Sequence, residues 1–469
     1  MSSHDERRRT RAVLLLLSLA MFIVSLDQYI VVVALPDIGR DLGYSSQTLQ
    51  SVISAYAIAS SGFLLLGGRA SDLLGRRRVL AVGLLLYCLA SLAGGLATGT
   101  AQQLVARAFQ GLGGALVFPS TLALINVLFK QGPARNQALG FWAGAGAAGL
   151  VVGVLAGGAL TSGFGWRAVF LVNVPLAGAA LAATFALIAH DGPLDLSRPF
   201  DLPGAISATA CVTLIVLALV QGPELGWTSP WILAALLAGL ALAGAFVAVE
   251  RRSADPILPL ALLRNGWLAL AAVVAALFMA TFGTLLYFLS LFFQDVLGYD
   301  ALHAGLAFLV PTAVVTGASA AAGRLATRFG LRRTMAGALL VGAAGALMIG
   351  LAARPDAGYL DLLPGMVVVS LGDGAMFTAM FIAAAQGVPD DRQGVASGIV
   401  STSSGIGAAV GLAVLVLIAN HASGGVAAQA LRAARAQGIA HAACTIAAGI
   451  AFTLLIVLAW RQAPDDGHG

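Results

Sequence analysis

The chain has 469 residues; 59% are hydrophobic, only 10% are charged, and the mean hydropathy is +0.92. Soluble domains carry roughly 25% charged residues, so this composition excludes a water-facing surface over most of the molecule. Lipid requires internal pairing of every backbone group, which leaves helices or a closed barrel. The net charge of +5 sits in short loops between apolar runs. It reads as a topology signal rather than a nucleic-acid footprint.

A spanning helix needs about 20 apolar residues, whereas a barrel strand needs about 10 that alternate. The runs here are long and do not alternate, so the predicted class is an all-α polytopic membrane protein. The expected spans are 13–35, 50–68, 79–98, 102–126, 138–160, 169–190, 203–221, 230–250, 267–293, 304–322, 334–353, 360–385, 394–420 and 440–460. The first is longer than a signal-peptide core and lacks a small-residue cleavage site, so it reads as a retained helix.

An even count puts both termini on one side, and the basic residues choose which. With the N-terminus inside, twenty of the 26 lysines and arginines fall in cytoplasmic segments and five in outer loops. The outer five are Arg40, Arg167, Arg354, Arg432 and Arg435, while Arg107 lies within a span. That split follows the positive-inside rule and predicts cytoplasmic termini. The single lysine, Lys130, set against 25 arginines and abundant Ala and Gly, points to a high-GC bacterial source and hence the bacterial cytoplasmic membrane.

GRASDLLGRRR at 68–78 recurs as GRLATRFGLRR at 323–333. Each copy follows the second helix of a six-helix run. The chain therefore divides into a tail (1–12), a six-helix bundle (13–190), linkers with two extra helices (191–265, helices 203–221 and 230–250), a second bundle (266–461) and a tail (462–469). Parallel repeats of this kind are typical of carriers whose halves rock around a mid-membrane site.

Several motifs in order resemble the major facilitator superfamily. They are the repeated loop at 68–78, LDQYIVVVALP (26–36), RAFQGLGGA (107–115), GLVVGVLAGG (149–158), WRAVFLVNVP (166–175) and ERRSADPILPL (250–260). With the extra helix pair they resemble its fourteen-helix drug:proton antiporter branch. The resemblance implies a 6+2+6 fold with two pseudo-symmetric bundles and proton-coupled efflux of drugs or antibiotics by alternating access. It implies no cofactor, no ATP and no enzymatic activity. The alternatives are a metabolite carrier on the same fold and, remotely, an intramembrane aspartyl protease using Asp300 and Asp373.

The resemblance makes Gly68, Arg69, Asp72, Gly75, Arg76 and Arg77 a conformational latch; in the second copy Thr327 stands where Asp72 does. Asp27 and Arg107 are charges inside apolar spans, where insertion costs about 2.5–3.5 kcal/mol each, so they are expected to face a cavity. The expectation is that Asp27 couples protons and Arg107 tunes it, with Gln110 one turn along. The alternative is a static ion pair joining helices 1 and 4. Asp373 in LGDGAMF (371–377) aligns with Gly114 in LGGALVF (112–118), a departure from the family. It fits a second proton site, a contact to a cationic substrate, or a structural acid.

Tyr29, Gln110, Phe118, Trp142, Tyr287 and Phe377 are the expected substrate-cavity residues. Gly149, Gly153, Gly157 and Gly158 form an antiporter-type glycine motif that permits close helix approach. Its usual proline is Val154, and Tyr29 and Val32 replace the family's threonine and asparagine. GAGAAG at 144–149 has no βαβ context and is set aside. The only lysine precedes Gln131, so there is no P-loop. Cys88, Cys211, Cys444 and the scattered histidines give no metal or disulfide spacing.

Overall fold

The structure is a computed structural model that describes residues 3–44, 49, 51–192, 201–253, 256–258, 260–421 and 431–460. The 462–469 tail and most of the 191–202 linker, with Arg198, lie outside these residues. Among the described residues there are fourteen helical segments long and apolar enough to cross a membrane. Mean hydropathy in their core windows runs from 1.5 to 2.6.

The first half contains α1 (Ser3–Leu42), α2 (Ser51–Leu74), α3 (Arg76–Gly95), α4 (Thr100–Leu128) and α5 (Pro133–Phe164). Its sixth span is built from α6 (Arg167–Leu171) and α7 (Asn173–Leu187). The extra pair is α8 (Leu202–Leu225) and α9 (Pro230–Glu250). The second half runs through α10 (Gly266–Leu291), which ends in a π turn over Phe292–Val296, then α11 (Ala301–Leu306) and α12 (Leu309–Phe329). It closes with α13 (Leu331–Ala352), α14 (Tyr359–Ala385), α15 (Gln393–His421) and α16 (Leu431–Ala459). Below, the membrane side where α1 begins is the near face, and the opposite side is the far face.

Small residues set the closest approaches. Along α5, a Cβ on Gly149, Gly153 or Gly157 would come within 2.5–2.6 Å of the carbonyl oxygens of Phe22, Leu26 and Ile30. The three glycines are spaced by four, so they share one face and let α1 lie directly on α5. Gly158 is a different case. It is off that stripe and only half buried, and its carbonyl accepts from Ser162 at 2.8 Å. Three of the four expected motif glycines therefore make the contact.

The repeated motif is less of a loop than its sequence implies. Gly68–Leu74 is helical and continues α2; the chain breaks only at Gly75 (φ 99°). The second copy breaks at the equivalent Gly330 (φ 86°). A positive φ disfavours any side chain, which gives both glycines a backbone reason. Asp191 then closes the first break, accepting from the Arg77 and Arg78 amides at 3.3 and 2.9 Å, and so caps α3.

The extra pair is unequal. α8 lies against α2, with Gly62 seated on Thr213. α9 is the most apolar span and only 11% of its core window is buried, so it faces lipid.

Candidate transport site

Asp27 lies mid-way along α1 and is completely buried. Arg107 on α4 donates to its Oδ2 at 2.6 Å, and Gln110 and Asn173 donate to its Oδ1 at 3.2 and 3.0 Å. Arg107 is itself held. Its Nε donates to the Val52 carbonyl at 3.1 Å, its Nη1 to Gln110 Oε1 at 2.9 Å, and its guanidinium lies 4.6 Å over the Tyr56 ring. Gln110 also donates to Ser91 at 2.8 Å. Five spans of the first half thus contribute to one polar network.

This placement changes two expectations. Asp27 and Arg107 face the interior of the first bundle, not open space between the halves; a charge pair in oil survives only when the remaining lone pairs and N–H groups are satisfied. Gln110 is fully buried in the same network and lines no cavity. Sequence reasoning missed Ser91, Asn173, Tyr56 and Val52. The available signal for the first two was a lone polar residue in an otherwise apolar span.

The second acid is placed differently. On α14, Gly372 is seated on Ala338 and Gly342 of α13, and Gly374 on Val315 and Ser319 of α12. Asp373 projects between these two contacts toward α1 of the other half, where Tyr29 comes within electrostatic reach. Both side chains are half buried, and Gln28 and Val32 beside Tyr29 are exposed. Among the described residues Asp373 has no hydrogen bond and no ion pair, and no cationic side chain acts on it.

One turn along α14 begins an aromatic cluster shared by the halves. Phe377 stacks with Trp142 at 6.4 Å and touches Phe381 at 5.2 Å and Phe278 at 5.9 Å. Phe118 meets Trp142 at 5.3 Å and Phe381 at 5.9 Å. Phe118 and Phe377 remain partly exposed. Trp142 is fully buried and donates to Thr121 at 3.2 Å, so in this conformation it seals rather than lines. Tyr287 is 43% exposed, and its ring meets that of Phe288 at 5.3 Å, apart from the cluster. Of the six expected cavity residues, Gln110 and Trp142 are fully buried here, Tyr287 lies apart from the cluster, and Tyr29, Phe118 and Phe377 are partly exposed.

Both repeat copies tie the halves together on the near face. Asp72 on α2 accepts from the Gly394 and Val395 amides at 3.0 and 2.8 Å, capping the first turn of α15. Arg76 lies 3.5 Å from Asp72 and donates to the Asp390 carbonyl, while Gly68 sits on Gly394. Arg77 turns away, donating to Phe185 in its own half at 3.0 Å. In the second copy, Thr327 on α12 accepts from the Asn136 side-chain Nδ2 of α5 at 3.1 Å, and Gly323 sits on the Asn136 carbonyl. On the far face Val154, at the motif's proline position, meets Gly305 of α11.

A further acidic pair joins this region. The Asp201 and Glu250 carboxylates converge on Gly204 at the start of α8. Glu250 accepts from the Leu258 amide at 3.0 Å and lies within electrostatic reach of the buried Arg69. This ties ERRSADPILPL, the extra helices and Arg69 of the first copy into one near-face assembly.

The family model for the Major Facilitator Superfamily matches residues 17–412. The chain belongs to that superfamily. It is a secondary transporter, not an enzyme, and the protease reading fails. Asp300, the second acid that reading needs, is on the far face, where it caps α11 through the His303 amide at 2.8 Å. The chain is 37% identical over 450 residues to the puromycin resistance protein pur8 of Streptomyces alboniger, covering 94% of this chain and 89% of the relative. It is 37% identical over 426 residues to the cephamycin export protein CmcT of Amycolatopsis lactamdurans, covering 88% and 85%. Among solved structures, the human organic anion transporter MFSD10 superposes with a TM-score of 0.68 at 16% identity, covering 96% of this chain and 99% of that one. The proton:xylose symporter XylE also gives 0.68, at 14% identity and 96% coverage of each. These two likenesses are of fold.

Proposed function

We propose that this transporter exports amphipathic drugs or antibiotics in exchange for protons. Its place is the bacterial cytoplasmic membrane, with both termini and the near face in the cytoplasm. ATP takes no part. The cargo class is supported by relatives named for puromycin resistance and cephamycin export that align along most of the chain.

The observation that carries the coupling is the Asp27–Arg107 network. Asp27 holds Arg107, Gln110 and Asn173 only while its carboxylate is an acceptor on both oxygens. Protonation removes the charge facing Arg107 and converts one oxygen to a donor. The helices that supply the partners are then free to re-pair, which gives a proton a mechanical consequence at the junction of five spans. Asp373, at the interface, serves as a second proton site. The Asp72 and Thr327 contacts close the cytoplasmic face in this conformation and part in the alternate one.

The driving force is sufficient. A proton crossing 100 mV releases about 2.3 kcal/mol, and each pH unit adds about 1.4 kcal/mol. Together they sustain a concentration ratio of several hundredfold for one exchanged proton.

The test uses inverted vesicles holding an inward pH gradient, read by a pH-sensitive dye. Puromycin, lincomycin and chloramphenicol are added in turn. Drug-induced proton release in wild type, abolished in Asp27→Asn at equal expression, is the expected result. If no compound dissipates the gradient, drug–proton exchange is the wrong reading.

A further inference from the structure

From the interface between the halves, we infer that Asp373, with Tyr29 and the neighbouring aromatic rings, is the head-group site for cargo that is a monovalent lipophilic cation, such as a protonated amine. This inference rests on the export reading above and specifies its substrate class.

Four observations converge. First, a carboxylate in a membrane interior ordinarily finds a partner, as Asp27 does with three donors. Asp373 has none among the described residues and is only half buried. When it is ionised, a cation bound at the interface would supply the counter-charge that the described residues do not. Second, the position is built. Gly372 and Gly374 fix α14 against α13 and α12, and the residue between them has one direction left, toward the opposite half. A ligand there touches both halves, as cargo must if it is to bias their relative position.

Third, the lining beyond the carboxylate is aromatic. Phe118, Trp142, Phe278, Phe377 and Phe381 form one continuous cluster starting a single turn from Asp373, with Phe118 and Phe377 still partly open. Aromatic faces attract cations and bury planar apolar bodies, so one surface serves both ends of such a molecule. Fourth, the sign of the field is unmixed. The mid-membrane guanidinium of Arg107 is neutralised by Asp27 inside its own bundle, and among the described residues no cationic side chain acts on Asp373. An anion of the same shape meets an unopposed carboxylate and is rejected.

Two ions of matched shape and opposite charge provide the test. Tetraphenylphosphonium and tetraphenylborate binding is measured by equilibrium dialysis on the purified full chain, for wild type, Asp373→Asn and Asp373→Glu. A thermal melt of each purified protein is recorded in the same buffer. Wild type is expected to bind the phosphonium and discriminate against the borate. Asp373→Asn is expected to weaken phosphonium binding at least about tenfold, as loss of one partner of a buried charge contact does. Asp373→Glu, which keeps the charge, is expected to restore most of it. An unchanged thermal melt shows that Asp373→Asn is folded. Unchanged phosphonium binding in Asp373→Asn, equal binding of borate, or no binding of phosphonium by wild type would each overturn the cation assignment. A failure confined to this inference leaves drug-induced proton release by wild type intact; loss of that release with every drug is the failure of the export reading itself.

Discussion

The two halves share a fold and a repeated motif but differ in the charge they place at the latch and at mid-membrane depth. In the first half the acids are partnered: Asp27 sits in a network drawn from five spans, and Asp72 caps α15 with two amides. In the second half Thr327 replaces the latch acid and accepts one neutral hydrogen bond from the other half, and Asp373 has no partner among the described residues. Paired charge holds a conformation, whereas a carboxylate without a partner holds none. The duplication thus supplies two bundles of one architecture, with the holding functions concentrated in the first and an unfilled valence in the second.

The sharpest way to break this contrast is through the buried pair. Arg107→Ala leaves Asp27 buried without its counter-charge and should cost about 3–5 kcal/mol, seen as a large loss of folded protein in a thermal melt. Asp373→Asn should leave the melt unchanged within about 0.5 kcal/mol, because it removes no existing contact. Equal destabilisation by the two substitutions would end the distinction between structural and vacant charge.

A smaller effect is expected in the glycine stripe. Gly153→Val places a branched side chain where even Cβ would stand 2.5 Å from the Leu26 carbonyl. Overpacking of this kind costs about 1–3 kcal/mol. Gly158→Ala, off the stripe, should stay within about 0.5 kcal/mol in the same melt.

The two latch copies sharpen the comparison further. Asp72→Asn exchanges hydrogen bonds to a charged acceptor, worth about 1.5–3 kcal/mol, for neutral ones. Hydrogen exchange at the Gly394 and Val395 amides should accelerate. Thr327→Val removes the neutral bond from the Asn136 side chain, worth about 0.5–1.5 kcal/mol, along with the hydroxyl's bond to Gly323 in its own helix, and should raise exchange in the first turn of α5 by less. The smallest effect belongs to Tyr287→Phe, whose hydroxyl makes no hydrogen bond among the described residues. Drug-driven proton release should stay within about twofold of wild type. A severe loss would return Tyr287 to the cargo path.

The fourteen spans, the 6+2+6 division and the repeat were legible from sequence because hydropathy over some twenty residues is a local property, and lipid makes it decisive. Two positive-φ glycines, Gly75 and Gly330, were likewise marked by the repeat itself. What a side chain faces is not local. It depends on how each helix is rotated about its axis and where it crosses its neighbours. Sequence therefore named Asp27, Arg107 and Gln110 but could not show that Ser91, Asn173 and Tyr56 would close around them. It named Trp142 without showing that Phe118, Phe377 and Phe381 would bury it. It singled out Asp373 as an acid where its repeat partner is Gly114. Only the packing of Gly372 and Gly374 against two different helices decided that this acid would point, unpartnered, across to the other half.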